Sequence, residues 1–448
     1  MRIAIIGSGV SGLSAAWLLS QRHTVSVFEK DDRLGGHANT QSIRLGDDTV
    51  DVDTGFIVYN EKTYPNLTAL YEHVNIPTNA TDMSFSVSMG DGQFEYAGSD
   101  LAGLFAQPGN LVNMHFWGML KDIRRFYARS VEFAEDPASE GVSLGHYLMQ
   151  EGYSQFFIQR HLLPMGAAIW SMPAEKMLAF PFRSFVRFCK NHGLLQISDR
   201  PQWRTVTGGS KNYVSRLARD FTGPTFLNCA IAAVERKPGH VEVIDREGER
   251  MAFDHVVFAC HSDQALRILR AGESGVTEDE QAILGSLRYQ KNLALLHTDE
   301  ALMPKRKRAW TSWNYLTGDA SDDGTSLSVT YWMNRLQTLS TDKDLFVTLN
   351  PLKQPREGSV LRSYVYEHPI FDGDALAAQH RLWSLQGRRR AWFCGAYFGH
   401  GFHEDGLQAG LAVAEQLGGV RRPWSVADES GRIPLATTSS SGAREAAE

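Results

Sequence analysis

The chain begins with a strand-like segment, residues 2–6, that leads directly into the spacing G-x-G-x-x-G and then into a helical pattern. Glycines spaced in this way allow a sharp turn, a close approach of the backbone to phosphate and packing of the helix on the strand. The unpaired N–H groups at the start of the helix favour an anion. We predict that this loop binds the pyrophosphate of a dinucleotide. The residues assigned to it are Gly7, Ser8, Gly9, Ser11 and Gly12.

A carboxylate stands where a dinucleotide-binding unit needs one. The second predicted strand, residues 24–28, ends in Glu29, twenty-two residues after Gly7. A carboxylate near this distance accepts hydrogen bonds from the ribose hydroxyls. Since an acid there suits a ribose without a 2′-phosphate, FAD and NAD are both favoured over NADP.

A cation and a second glycine pair follow the acid in residues 30–37, and NAD enzymes need no such extension. The segment resembles the one with which flavoproteins of the glutathione-reductase-like class reach the FAD pyrophosphate and ribityl chain. Taken alone, it could equally be a surface turn with a solvated arginine. Together with the first motif, it favours FAD. The resemblance assigns to the cofactor Lys30, Arg33, Gly35, Gly36 and His37.

Later segments would complete an FAD-binding domain from pieces that are distant in sequence. Residues 202–210 are expected to open a helical stretch, residues 229–235 to form a strand facing adenine, and residues 256–260 to form a buried strand. A further strand, residues 391–395, precedes a small-residue helix whose positive N-terminus could face the flavin pyrimidine ring. The additional cofactor-binding residues predicted are Thr54, Gly55, Val234, Ala259, Gly395, His403, Glu404, Gly406 and Leu407.

Several distinctive strings carry a family resemblance over residues 1 to about 420; they lie at 35–40, 53–60, 82–86, 169–171, 200–203 and 401–406. The chain resembles the flavin amine-oxidase and phytoene-desaturase superfamily. It is most similar to the flavin-oxidoreductase-like domain fused ahead of plant cyclopropane fatty acid synthases and to free-standing bacterial relatives. The resemblance implies an α/β fold with a Rossmann-type, glutathione-reductase-like FAD domain (residues 1–78, 202–264 and 385–425). It also implies an inserted α+β substrate domain of mixed sheet and helices (residues 79–201 and 265–384).

Composition excludes several classes of function. The chain has 448 residues, 43% hydrophobic and 21% charged, with a formal net charge of -6, which argues against nucleic acid as a partner. The four cysteines show no metal-binding spacing, so no metal site and a reducing, cytoplasmic location are expected. We identify no secretory signal and no apolar run long enough to span a membrane. Residues 426–448 are expected to be a disordered tail.

Aromatic residues in the inserted segments predict an apolar substrate pocket. Residues 114–127 have apolar side chains at helical spacing beside Lys and Arg, a pattern typical of interfacial helices and equally of helices packed on a core. The basic run 305–308 could add attraction to anionic headgroups or be a solvated loop. Peripheral contact with the inner face of the membrane is therefore one expectation. The predicted pocket residues are Tyr59, Trp170, Trp203, Trp313, Tyr331 and Phe402.

The leading hypothesis is an oxidoreductase with noncovalent FAD that removes hydride from a C–H bond of a fatty-acyl or other lipid substrate. Amine oxidases of the superfamily flank the flavin with an aromatic pair, of which only one member is evident here, and His37 stands where many members have arginine. Amine oxidation is the alternative, and a noncatalytic partner of a cyclopropane-synthase-like lipid methyltransferase is a third interpretation. The candidate catalytic residues are Tyr59, Lys291, His403 and Glu404.

Overall fold

The computed structural model describes residues 1–170, 174–191, 193–196, 200–318 and 327–435. Strands and helices are numbered in chain order. The strands are β1 (Arg2–Ile6), β2 (Thr24–Phe28), β3 (Thr40–Leu45), β4 (Asp48–Asp53), β5 (Tyr59–Asn60), β6 (Thr78–Thr81), β7 (Phe85–Met89), β8 (Phe94–Ala97), β9 (Trp203–Val206), β10 (Thr225–Phe226), β11 (Ile231–Arg236), β12 (Val241–Asp245), β13 (Arg250–Phe253), β14 (His255–Phe258), β15 (Arg288–His297), β16 (Trp313–Thr317), β17 (Leu327–Trp332), β18 (Phe346–Leu349), β19 (Val360–Ile370) and β20 (Ala391–Phe393).

The α-helices lie between and around these strands. They are α1 (Val10–Leu19), α2 (Pro65–His73), α3 (Leu101–Leu104), α4 (Met114–Glu135), α5 (Leu144–Gln150), α6 (Gln155–Phe157), α7 (Leu163–Trp170), α8 (Ala174–Leu178), α9 (Phe182–Asn191), α10 (Lys211–Asp220), α11 (Ser262–Ala271), α12 (Glu278–Gly285), α13 (Met333–Leu336), α14 (Gly373–Leu382) and α15 (His403–Gly418). A π-helical turn is formed by Ile158–Leu162, and 3₁₀ turns by Pro108–Val112, Pro137–Ser139, Glu300–Leu302, Lys307–Ala309, Trp383–Leu385, Arg388–Arg390 and Ala396–Phe398.

A parallel sheet with the strand order β10-β2-β1-β14-β20 forms the centre of the nucleotide-binding part. Its strands come from all three of the separated segments predicted for the FAD domain. The inner strands are short apolar runs because helices cover both faces of such a sheet. Helices α1 and α15 pack against each other closely, and both are almost entirely buried. The predicted α/β Rossmann-type fold is therefore confirmed.

A larger mixed sheet, in the order β19-β15-β18-β17-β16-β7-β8, draws strands from both segments of the predicted substrate domain. The helices α4 to α9 pack on it around a separate apolar core. The predicted boundary at residue 264 falls inside α11, whose apolar face packs on the core of the parallel sheet. Helix α14 packs on the same core, although the prediction placed it in the substrate domain. The division into two domains stays a prediction, with its borders shifted by these helices.

One expectation for local structure was wrong. Residues 203–206 form β9, which pairs with β5 and β6, and the helix that follows begins only at Lys211. The alternation of Trp203 and Thr205 with Arg204 is typical of a strand, and the two glycines at 208 and 209 end it in left-handed turns.

The beginning of the predicted disordered tail is packed against the nucleotide-binding core. Ile433 is buried, and Arg432 donates hydrogen bonds to Asp405 and to the backbone oxygen of Thr63. Arg422, whose side chain is fully buried, pairs with both carboxylate oxygens of Glu415 at 2.8 and 2.9 Å. Arg422 also donates to the Glu429 backbone oxygen at 2.9 Å, so residues 429, 432 and 433 of the predicted tail are held against the folded chain. The rest of the predicted tail, 436–448, lies outside the described residues.

The buried, neutral imidazole of His297 predicts that the protein loses folding stability in acid. His297 Nδ1 accepts the backbone N–H of Asp299 at 3.1 Å, and Nε2 lies 2.7 Å from Thr348 Oγ1. Burial lowers the pKa of His297 to about 4. The folded protein keeps the imidazole neutral where the unfolded chain binds a proton, so stability is lost as pH falls from about 6.5 to about 4.

We expect the free energy of unfolding to decrease by about 1.4 kcal/mol per pH unit in this window for each such histidine. Denaturant titrations at a series of pH values measure the slope. His297→Gln should flatten it, and the exposed control His115→Gln should leave it unchanged. Equal slopes in the two variants would contradict the assignment.

Candidate active site

One cavity of about 1020 Å³ lies between the parallel sheet and the mixed sheet. The residues that directly follow the carboxyl ends of β1, β2 and β14, namely Gly7, Glu29 and Ala259, lie in its wall. Ligands of open α/β sheets bind at this edge, outside the carboxyl ends of the strands. From the mixed sheet, strands β16, β17 and β19 complete the wall.

The glycine loop after β1 is shaped by close backbone contacts. A Cβ atom added at Gly12 would lie 2.0 Å from the Gly7 carbonyl oxygen, and one at Gly7 would lie 2.8 Å from the Ala259 oxygen. A Cβ added at Gly9 would meet no protein atom within 4 Å. Gly9 therefore faces open space in the cavity wall, where the backbone can approach a phosphate. Gly12 has the packing role that the motif predicts.

The second glycine pair lies directly against the first loop. A Cβ added at Gly36 would be 3.1 Å from the Gly9 Cα, and Gly35 donates its N–H to the Ser8 carbonyl at 3.0 Å. The guanidinium of Arg33 donates to the Gly36 carbonyl at 2.8 Å and forms part of the cavity wall. Residues 30–37 thus fold back over the glycine loop, and the hydrogen bond from Arg33 to Gly36 stabilises their turn.

Glu29 joins these two loops at the end of β2. Its carboxylate accepts the Ser8 N–H at 2.9 Å, the Ser8 hydroxyl at 2.5 Å and the Asp31 N–H at 3.0 Å. The side chain is buried, yet it borders the cavity. It can therefore hold the loop and still present a carboxylate edge to a ribose.

His37 fits a bound cofactor. Its Nε2 atom is buried and has no hydrogen-bond partner among the described residues, although the residue borders the cavity. Burial, and after it the neighbouring His368, lower the pKa of His37 well below its ordinary value. A buried polar atom without a partner is costly unless a ligand satisfies it. This atom and the open space at Gly9 both fit a bound cofactor with phosphate groups, as the expected FAD has.

The loop before α15 closes another side of the cavity, and Asp405 holds it. The Asp405 carboxylate accepts the N–H groups of His400 at 3.0 Å and Phe402 at 2.8 Å, and it pairs with Arg432 at 3.4 Å. These bonds fix residues 400–402 as the helix begins at His403. The N-terminus of α15 is thereby aimed at the cavity.

His403 is held as a neutral imidazole in the cavity wall. Its ring stacks on Phe56 at 3.8 Å between centroids, and Nε2 lies 2.5 Å from the Tyr213 hydroxyl. Burial lowers the pKa of His403 to about 3. The histidine is therefore a hydrogen-bonding group of fixed orientation that stays uncharged at neutral pH.

Aromatic and aliphatic side chains line the part of the cavity next to the core of the mixed sheet. Trp313 and Tyr331 are cross-strand partners on β16 and β17, and the rings of Phe188 and Phe402 stack with centroids 4.9 Å apart. Trp203, on β9, also borders the cavity. We call the following residues the apolar end: Met83, Ile169, Phe188, Leu194, Trp313, Tyr331, Phe371 and Phe402.

Most predicted cofactor residues lie in the cavity wall, but others do not. Val234 is buried inside the sheet of β11, and the neighbouring residues that reach the cavity are 228–231. Gly406 serves helix packing, because a Cβ there would lie 2.8 Å from Ser11 Oγ. Leu407 is buried in the same interface, and Gly35 lies beneath the loop. The side chain of Trp170 lies outside the described residues.

Glu404 and Tyr59, two of the predicted catalytic residues, are outside the cavity wall. The fully buried Glu404 carboxylate accepts the backbone N–H groups of Asn66 and Leu67, both at 3.0 Å, and so holds the start of α2. The Tyr59 ring packs edge-to-face against Tyr71 in the core at 5.3 Å between centroids. Both positions indicate structural roles.

Lys291 is the third predicted catalytic residue that does not border the cavity. It is exposed on β15, whereas its neighbour Asn292 is buried, because successive strand residues point to opposite faces. We expect Lys291→Met to change the rate of flavin reduction by less than about two-fold, as for other exposed substitutions without special contacts. Stopped-flow absorbance of the flavin measures this rate, and a loss of ten-fold or more would return Lys291 to the site.

Several cavity residues were not anticipated. The Tyr366 hydroxyl shares a hydrogen bond with Thr54 Oγ1 at 2.8 Å, in which either atom can be the donor, and accepts one from the Asn39 amide at 2.9 Å. These bonds join the mixed sheet to the loop after β4. His368 accepts from Asn292 at 2.9 Å, and burial lowers its pKa to about 4. The two-residue spacing of Tyr364, Tyr366 and His368 could have suggested that these side chains lie on one face of a strand. No sequence signal pointed to Phe188.

Sequence comparison finds similar proteins among curated flavoenzymes and desaturases. The chain is 25% identical over 265 residues to the Mycobacterium tuberculosis protein AofH, assigned as a flavin-containing monoamine oxidase; the match covers 56% of the chain and 55% of AofH. The chain thus spans about half the length of this curated relative. It is also 52% identical over 40 residues to a Staphylococcus aureus 4,4'-diapophytoene desaturase, covering 9% of the chain and 8% of the desaturase.

Solved structures share the fold at low sequence identity. Putrescine oxidase bound to putrescine superposes with a TM-score of 0.65 at 14% identity, covering 93% of the chain and 99% of that protein. The CLA-producing fatty acid isomerase from P. acnes superposes with a TM-score of 0.62 at 13% identity, covering 93% of the chain and 97% of that protein. The family described as flavin containing amine oxidoreductase matches residues 10–418. Over this length the match is decisive, and the chain belongs to that family of FAD-dependent oxidoreductases.

Proposed function

We propose that the protein is an FAD-dependent dehydrogenase that removes hydride from a C–H bond of a fatty-acyl or other lipid substrate. The observation that carries the proposal is the apolar end of the cavity, whose wall is aromatic and aliphatic. Burial of an acyl chain there contributes about 0.8 kcal/mol for each methylene group removed from water. The glycine loops would hold the phosphates of FAD, and the apolar end lines the same cavity.

The distribution of carboxylates supports a substrate without a positive charge. Within the described cavity wall, Glu29, Asp31 and Asp32 lie at the phosphate-loop side, directly after β2. The remaining acid, Glu367, lies 3.5 Å from His261, which follows β14 on the same side. An ammonium group at the apolar end would lose water without gaining a carboxylate partner there, which is costly.

When bound, FAD supplies the acceptor for the hydride, and the protein supplies orientation and electrostatics. The apolar end would align an acyl chain and exclude water. The histidines at 37, 368 and 403 are neutral at physiological pH, since burial lowers the pKa of each. They can donate or accept hydrogen bonds without adding charge, while the N-terminus of α15 favours negative charge nearby.

The names of similar proteins give support to two substrate classes. The desaturase and the fatty acid isomerase act on apolar chains according to their names, which suits the apolar end. AofH and putrescine oxidase favour amine oxidation as the second candidate. Against amines, the aromatic rings of Phe188 and Phe402 at the apolar end stack on each other with centroids 4.9 Å apart. Two stacked rings leave no space between them for an amine.

Lipid analysis tests the proposal directly. Purified protein is incubated in air with total membrane lipid, and the released fatty acids are measured by mass spectrometry. We expect acyl products that have lost two hydrogens, formed only when the flavin is bound. Unchanged lipid, together with turnover of a monoamine or diamine in the same buffer, would contradict the proposal and establish the second candidate. The predicted link to a lipid methyltransferase stays a prediction.

A further inference from the structure

Large apolar side chains are exposed together in one short part of the chain. In the segment 101–117, which we call the apolar tip, the exposed fractions are 76% for Leu101, 52% for Leu111, 85% for Val112, 80% for Met114 and 46% for Trp117. The sequence from 101 to 120 contains no Asp, Glu, Lys or Arg. Single exposed apolar residues are ordinary, but a group of this kind marks an interaction site.

The backbone of the apolar tip is fixed by hydrogen bonds and packing, so its exposed side chains project from an ordered segment. Trp117 donates its indole N–H to the Leu111 carbonyl at 2.9 Å, which joins the 3₁₀ turn to the first turn of α4. The ring of Trp117 also packs 5.7 Å from that of Phe105. On the other face of α4, Phe116 and Met119 are fully buried in the core of the mixed sheet and its helices.

Cations follow the apolar side chains along one exposed face of α4. Met114, Trp117, Lys121 and Arg124 are spaced by three or four residues, and all four are exposed. At 1.5 Å per residue, the two cations begin about 6 and about 10 Å beyond Trp117 along the helix axis. This separation matches the depth by which interfacial segments bury their apolar side chains beneath the headgroups.

A third cation lies beside the tip. Helix α3, which carries Leu101, contacts the 3₁₀ turn Lys307–Ala309. Arg308 in this turn is exposed, and neither it nor Lys121 or Arg124 forms an ion pair with any described residue. The turn is fixed nearby, since the buried Glu95 carboxylate accepts the N–H groups of Lys305 and Arg306. An uncharged apolar tip bordered by unpaired cations is complementary to an anionic lipid surface.

We propose that the apolar tip inserts into the boundary between headgroups and acyl chains of a membrane leaflet that contains anionic lipids. Lys121, Arg124 and Arg308 then contact the lipid phosphates. Within the described residues no helix is both long and apolar enough to cross a bilayer, so this contact is peripheral. The proposal concerns attachment alone and holds whichever substrate the cavity takes.

Vesicle co-sedimentation of the FAD-loaded full chain tests this proposal. The probes are vesicles of phosphatidylcholine alone and vesicles with about one third phosphatidylglycerol. We expect binding to the anionic vesicles that weakens as salt increases. The double variant Val112→Asp and Met114→Asp should weaken partitioning at least ten-fold, and Lys121→Gln with Arg124→Gln about ten-fold. The control Met149→Asp replaces a side chain that is 76% exposed outside the tip, and it should bind like the wild type.

The outcomes separate a membrane from other partners. Flavin absorbance and the melting temperature should be equal in all variants, because the replaced side chains are exposed. Absence of wild-type binding to anionic vesicles would overturn the proposal, as would equal binding of the Val112 and Met114 double variant. A wild-type dimer in analytical ultracentrifugation that becomes monomeric in this variant, without vesicle binding, would assign the tip to a second copy of the chain. Turnover of lipid in detergent is measured separately, so failure of attachment and failure of the proposed function are distinguishable.

Discussion

Replacement of Gly9 by alanine is expected to weaken FAD binding strongly while leaving the protein folded. A Cβ at Gly9 meets no protein atom within 4 Å, so the methyl group strains nothing in the fold. It would instead occupy the cavity wall where the backbone must approach the pyrophosphate. We expect the dissociation constant for FAD to rise by about 100-fold, equivalent to about 2.7 kcal/mol.

Isothermal titration of the flavin-free protein with FAD measures this constant, and circular dichroism checks the fold. Gly239→Ala is the matched control. Its added Cβ also meets no atom within 4 Å, and its backbone does not need glycine, but it lies in the turn between β11 and β12, away from the cavity wall. This control should bind FAD as tightly as the wild type. Tight FAD binding by Gly9→Ala would contradict the assignment of the glycine loop.

Asp405→Ala is expected to weaken both the fold and the binding of FAD. The carboxylate is fully buried, holds the N–H groups of His400 and Phe402, and pairs with Arg432. Removing one member of a buried ion pair costs about 3–5 kcal/mol, because the remaining charge is left without a partner. The freed loop would no longer aim the N-terminus of α15 at the cavity. We therefore expect a loss of FAD affinity of at least about ten-fold.

The neighbouring acid provides a control that separates these two effects. Glu404→Gln also disturbs a buried carboxylate, but its partners, Asn66 and Leu67, lie at the start of α2. We expect it to lower the free energy of unfolding by about 1–3 kcal/mol and to leave FAD affinity within about two-fold. Urea denaturation and FAD titration of both variants measure the two quantities. Equal FAD affinity in the two variants would show that Asp405 does not shape the site.

The phosphate-binding part of the site could be predicted because its determinants are local. Gly7, Gly9 and Gly12 act through the backbone of one loop, and Glu29 follows the adjacent parallel strand. Their positions relative to one another follow from a strand, a turn and a helix. Trp313 and Tyr331, both predicted for the pocket, are direct cross-strand partners and therefore share one face of the mixed sheet.

The predicted catalytic residues were placed less well, because which face of a helix or strand a side chain occupies changes with a shift of one residue in register. Glu404 and Asp405 are adjacent acids in one motif, and only the packing of α15 decides that Asp405 reaches the cavity loop while Glu404 turns toward α2. Lys291 was wrongly predicted to reach the cavity for the same reason: on a strand, a shift of one residue moves a side chain to the opposite face. Phe188 lies in α9, whose approach to Phe402 depends on tertiary packing alone.

The most direct test of an FAD dehydrogenase for lipids is an anaerobic visible spectrum of the purified protein. The protein is titrated with membrane lipid extract and, in parallel, with a panel of monoamines and diamines. Our account predicts bleaching of the oxidised flavin band by lipid and little change with amines. Bleaching by amines alone, or a bound flavin that neither set reduces, would contradict it.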